Sequence, residues 1–103
     1  MAVNTYWYGL AKQNMAKKLI DWEDDTIMVS LHTTEFIPDQ DADEFQDDLS
    51  YESSATGYTA GGKEITNTTL NYTSGTNTLM YDGNNVVWTI TGTITFQYAV
   101  IYD

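Results

Sequence analysis

The chain has 103 residues, enough for one domain and too few for a second core. Its 15 acidic residues stand against four lysines and no arginine, a net charge of -11 that excludes phosphate backbones and anionic lipid surfaces as partners. Hydrophobic residues make up 42 % of a chain that is also rich in threonine, asparagine and tyrosine, the composition of a folded, β-rich domain with an uncharged polar surface. Cysteine is absent, so disulfides, thiolate zinc sites and thiol nucleophiles are absent with it.

The start of the chain, Met1-Ala2-Val3-Asn4, has neither a basic region nor an apolar run of signal-peptide length, and no stretch approaches a membrane span. Synthesis in a cytoplasm is the expectation, which makes the sequons at Asn67 and Asn71 by-products of a threonine-rich strand. Residues 7–22 carry a helical period: Trp7, Leu10/Ala11, Met15, Leu19 and Trp22 fall three or four apart, with Lys12, Gln13, Lys17 and Lys18 opposite. A strand is expected from Thr26 to Leu31, with Ile27, Val29 and Leu31 on one face.

Twelve acids and no lysine lie between Asp21 and Glu52. The residues from 32 to 50 read as an acidic loop region, broken by Pro38 and ending in a short helix, Ala42 to Leu49, capped by Asp41. Asp39, Asp41 and Asp43 occupy three positions of a calcium-loop pattern, but Glu44 stands where that pattern needs glycine and Ser50 where it needs glutamate. The expectation is a solvated acidic loop and no metal site.

From residue 51 to 103 the pattern is β throughout. Glu64 to Tyr72 reads as one strand and Thr78 to Tyr81 as another, with turns at Ser74-Gly75 and Asp82-Gly83-Asn84. The clearest strand is 86–103, with Trp88, Ile90, Ile94, Phe96, Tyr98, Val100 and Tyr102 on its core face and Gly92 as a bend. Ala99 and Ile101 make its end apolar on the other face as well. The fold class expected is α+β, predominantly antiparallel sheet arranged as a sandwich or flattened barrel, with the single N-terminal helix against it.

Chemistry is sparse. His32 is the only histidine, with no cysteine or arginine to pair with, and is expected at the surface or in a structural hydrogen bond. Gly61-Gly62-Lys63 lacks the rest of a phosphate loop. No catalytic, metal or cofactor residue is assigned. The residues expected to meet other chains are Tyr6, Trp7 and Tyr8, more aromatic than a free terminus needs, and Ala99 and Ile101 at the last strand.

Two segments, Gly57-Tyr58-Thr59-Ala60-Gly61-Gly62 and Ala99-Val100-Ile101-Tyr102-Asp103, together with the order of elements over nearly the whole chain, resemble a family of small structural proteins of tailed-bacteriophage virions. The resemblance implies a capsid decoration or cement protein: non-enzymatic, without cofactor, on the capsid exterior, bound to the major capsid protein and assembled as a homotrimer. The alternative it leaves open is a head-fibre or tail-associated module that contacts a host receptor or glycan.

Overall fold

A computed structural model describes residues 4–103. The fold is α+β and mostly antiparallel sheet, with one α-helix and five strands among the described residues, in two sheets that do not close into a barrel. Helix α1 spans Gly9–Ala16, and the strands are β1 (Ile27–His32), β2 (Lys63–Ile65), β3 (Thr69–Thr73), β4 (Thr78–Asp82) and β5 (Tyr98–Tyr102). The first sheet has the order β2-β1-β5, and β3 with β4 forms a separate hairpin.

β1 is the centre of the molecule. Its alternation puts Ile27, Val29 and Leu31 on one face, all buried, while Ser30 and His32 are buried on the other. Phe36, Tyr58 and Val100 complete the buried set of large apolar side chains among the described residues. The β5 edge of β1 pairs from Met28↔Tyr102 to His32↔Tyr98. The opposite edge is shared: β2 takes Ile27 to Val29, and the segment 51–53 continues through Thr33 N–H to Tyr51 C=O and Ser53 N–H to Leu31 C=O.

The helix is half the length that its period predicts, and the reason is local. Lys18 adopts φ 63°, and the N–H groups of Lys18 and Leu19 return to the carbonyls of Met15 and Asn14. That is a Schellman stop with lysine where glycine is usual, so no sequence signal announced it. Leu19 is left exposed. The helix expected at 42–49 is also shorter, reduced to one 3-10 turn at Gln46–Asp48.

The strand expected over 64–72 is two strands, because Asn67 at φ 53° turns the chain between β2 and β3. The long strand over 86–103 contracts to β5, with Gly92 at φ 87° where a bend was expected. Before that bend only Thr91 pairs, with Thr56. The alternation survives even so: Trp88, Ile90 and Ile94 are half-buried between exposed neighbours, and of the expected core face only Phe96 is exposed.

The hairpin stands apart from the sheet. Its Thr69↔Asp82 to Thr73↔Thr78 register places Leu70, Tyr72, Leu79 and Tyr81 on one face. The base of that face is covered by Trp22 and Met15, and the part toward the turn is not. The radius of gyration, 14.7 Å, exceeds the roughly 13 Å of a compact chain of this length, and the longest axis is 44 Å against 29 and 28 Å.

Candidate functional site

The glycine-rich segment 57–62 is a structural latch. Glu52 accepts hydrogen bonds through one carboxylate oxygen from the Tyr58 hydroxyl (2.5 Å) and the Gly61 N–H (2.7 Å). The same Tyr58 oxygen accepts the Leu31 N–H at 2.9 Å, and the Tyr102 hydroxyl donates to the Gly61 carbonyl. Tyr58 thus satisfies the β1 donor that falls between β2 and segment 51–53. Burial, and then the bond to Glu52, pushes the Tyr58 hydroxyl up to about 12; Tyr102 is raised by burial and by the charge of Glu52. Two glycines let the segment lie this close. A Cβ at Gly57 would sit 2.0 Å from the Thr89 carbonyl oxygen and one at Gly62 would sit 1.8 Å from that of Val29, both at positive φ.

His32 is fully buried. Its Nδ1 lies 2.8 Å from the Ser50 carbonyl, which can only accept, so Nδ1 carries a proton. Nε2 lies 2.8 Å from the Ser30 hydroxyl, itself without exposure, and the ring packs against Phe36 at a tilt of 39° with centroids 4.9 Å apart. The expected structural hydrogen bond is present, whereas a surface position is not. A serine beside a histidine resembles a nucleophile pair, but no substrate reaches a serine sealed between sheet and loop.

The acidic region has a repeated local purpose. The Asp21 N–H donates to Asp25 (2.8 Å), the Asp39 N–H to Asp43 (3.0 Å) and the Glu44 N–H to Asp48 (2.9 Å), three closures of the same four-residue span. Asp21 and Asp39 also accept the backbone N–H groups just after them, Glu23 and Asp24 in one case and Asp41 and Ala42 in the other. These are carboxylate-closed turns. Asp41, expected to cap a helix, is exposed and donates its own N–H to Asp39. Hydrogen bonds from the Phe45 and Glu44 backbones hold Asp48 below the usual carboxylate range. No group of three or more metal-ligating side chains forms among the described residues. The aspartate spacing of four was the readable signal, and a count of charges passes over it.

One acid pair behaves differently. Asp103 is pushed up to about 6 by partial burial, by its hydrogen bond with Asp25 and by the charges of Asp25 and Asp21. Asp25 is lowered by the same hydrogen bond and by the Asp21 N–H.

The N-terminal aromatics divide. Tyr6 is exposed, Tyr8 precedes α1 as its N-cap residue, and Trp7 packs edge-on against Tyr81 with centroids 5.4 Å apart. Burial and the charge of Asp43 raise the Tyr8 hydroxyl. Trp22 meets Tyr81 at the same distance, and its indole N–H is shared by the carbonyls of Thr69 and Asp82, each at 3.1 Å. Beside this docking lies an open groove of about 330 Å³ lined chiefly by Met15, Ile20, Trp22, Leu70 and Tyr81. Ala99 and Ile101 are both exposed on the outer strand of the sheet, Ile101 at 54 %.

The surface combines the acids with many apolar side chains. Twelve large hydrophobic side chains are exposed among the described residues, from Tyr6 to Ile101, and the tip of the hairpin contributes Tyr72, Leu79 and Met80. No protein-family model, no curated protein and no solved structure matches this chain.

Proposed function

We propose that the chain is a non-enzymatic structural protein of a tailed-bacteriophage virion, bound to the major capsid protein on the capsid exterior as a small homo-oligomer, where it reinforces the shell. The observation that carries the reading is the surface that combines many exposed hydrophobic residues with a net charge of -11. Apolar side chains supply the contacts with the lattice and with other copies, and outward acids keep particles apart in solution. The resemblance carried by the 57–62 and 99–103 segments supports the same assignment.

The test is the copy number in purified virions by quantitative mass spectrometry, with the burst temperature of capsids that lack the protein. Hundreds of copies and a lowered burst temperature are expected. A dozen copies or fewer, or a location confined to the tail, overturns the reading. That outcome favours a fibre or tail-associated module, for which the exposed hairpin offers a glycan Asn71, Thr73 and Thr78 on one face and Tyr72 on the other.

A further inference from the structure

The three-stranded sheet has two outer edges, and only one is guarded. β2 is three residues long, follows Gly62 at φ 88°, precedes Asn67 at φ 53° and carries Lys63 and Glu64. Shortness, bends and charge are the devices that prevent an edge from pairing with a stranger. β5 is Tyr98-Ala99-Val100-Ile101-Tyr102, without charge, glycine or proline.

The pairing of β1 decides which groups of β5 point outward. Leu31 turns its N–H and C=O to Tyr58 and Ser53, away from β5. Met28, Ser30 and His32 therefore turn theirs toward β5, where they meet Tyr102, Val100 and Tyr98. Ala99 and Ile101 then aim their N–H and C=O at the open edge, and among the described residues no hydrogen bond outside the β1 ladder reaches them.

We propose that this edge is closed by the same edge of a second copy, with β5 antiparallel to β5 about a two-fold axis at Val100, so that the two sheets become one. In this register Ala99 of each copy lies opposite Ile101 of the other, and the two pairs exchange about four main-chain hydrogen bonds. A small side chain faces a large one on the sheet face that carries Val29 and Leu31, and Tyr98 faces Tyr102 on the other. Charge selects the direction. Antiparallel pairing sets Asp103 beside Gln97 of the second copy and keeps the two Asp103 carboxyls about 20 Å apart, beyond the screening length of about 8 Å at physiological salt. Parallel pairing stacks them on each other, close to Asp25 and Asp21 of both chains. An edge of five residues is small against the roughly 800 Å² per partner of a stable interface, which sets the expected dissociation constant at roughly micromolar. The contact is isologous and closes at two copies, so it replaces the three-fold assembly that the resemblance implied. It does not depend on the capsid reading.

Sedimentation equilibrium of the full chain between about 1 and 300 µM, at low and raised salt, tests it. A monomer–dimer equilibrium that tightens with salt is expected, since screening relieves the repulsion between acidic copies. Ala99→Pro removes one outward N–H and leaves the β1 ladder whole, and Ile101→Lys places a cation on the edge. Each should raise the dissociation constant at least tenfold with an unchanged circular dichroism spectrum. Val87→Lys, as exposed but on the β2 side where Lys63 donates to the Val87 carbonyl, should leave the dimer intact. If Ala99→Pro fails to fold, Ile101→Lys decides, because its side chain already lies in solvent. A monomer across the whole range, a trimer, or a dimer indifferent to Ile101→Lys overturns the proposal.

Discussion

The three-stranded sheet and the β3–β4 hairpin are built from the same alternation of apolar and polar residues, yet only the sheet acquires a core. β1 is buried on both faces, and β5, the 51–53 segment and the 57–62 latch converge on its two edges from distant parts of the chain. Neither β3 nor β4 has a buried residue, and their one covered surface is the Leu70–Tyr81 base beneath Trp22. Alternation assigns side chains to faces. Whether a face becomes a core depends on what long-range pairing brings over it.

The largest contrast between the two regions is expected at their glycines. Gly62→Ala forces a Cβ against the Val29 carbonyl at a positive φ, whereas the hairpin-turn Gly75 has open space around it. Urea denaturation should show Gly62→Ala less stable by roughly 3 kcal/mol or more and Gly75→Ala within about 0.5 kcal/mol of wild type. Similar losses at both positions would mean that the latch does not hold β1.

A smaller effect should separate the regions directly. Trp22→Phe keeps a ring against Tyr81 but removes the N–H shared by Thr69 and Asp82. A loss of about 1 kcal/mol is expected. Hydrogen exchange should rise at the backbone amides of β3 and β4 and stay unchanged in β1. Uniform acceleration across both sheets would show that hairpin and sheet unfold as a single unit.

How far each region could be read from sequence follows the same division. The core strand was legible at 26–31 because β-branched residues and alternation agree there, and so was the hairpin, because Ser74-Gly75 and Asp82-Gly83 bracket Thr78–Tyr81. Helix length was not, because the stop is made by Lys18, a residue with no turn signature. The burial of His32 was hidden as well: it depends on Ser50 and Phe36 folding back over the strand, and alternation on one strand carries no record of its cover. For the surface, Ala99 and Ile101 were legible as apolar on the second face of their strand. Trp7, which stays exposed, also packs edge-on against Tyr81, a contact that its place between Tyr6 and Tyr8 does not reveal.

The smallest expected effect is a change of slope with pH, and it belongs to the sheet alone. Asp103 binds its proton more tightly folded than unfolded, so the stability it contributes is complete below its ordinary value near 3.8 and is lost as pH rises through about 6. Asp103→Asn keeps a donor for Asp25 and has no proton to lose. Its melting temperature should equal that of wild type near the acid end of this window and exceed it at neutral pH. Parallel melting curves across the window would remove the pair as a source of pH dependence.

The strand order β2-β1-β5 also sets an order of events. The hairpin joins residues from 69 to 82 and can form as soon as that short stretch exists, because few residues need be ordered to close it. The central strand meets β5 only across about seventy residues of chain. During synthesis β1 therefore emerges early and stays without its longest partner until residues 98–102 have left the ribosome. In that interval an apolar strand whose β5 edge stays open after β2 and the 51–53 segment have closed the other is the most aggregation-prone species the chain passes through. The acids that flank it, from Asp21 to Asp25 and from Glu35 onward, repel neighbouring nascent chains at the time when β1 has least cover.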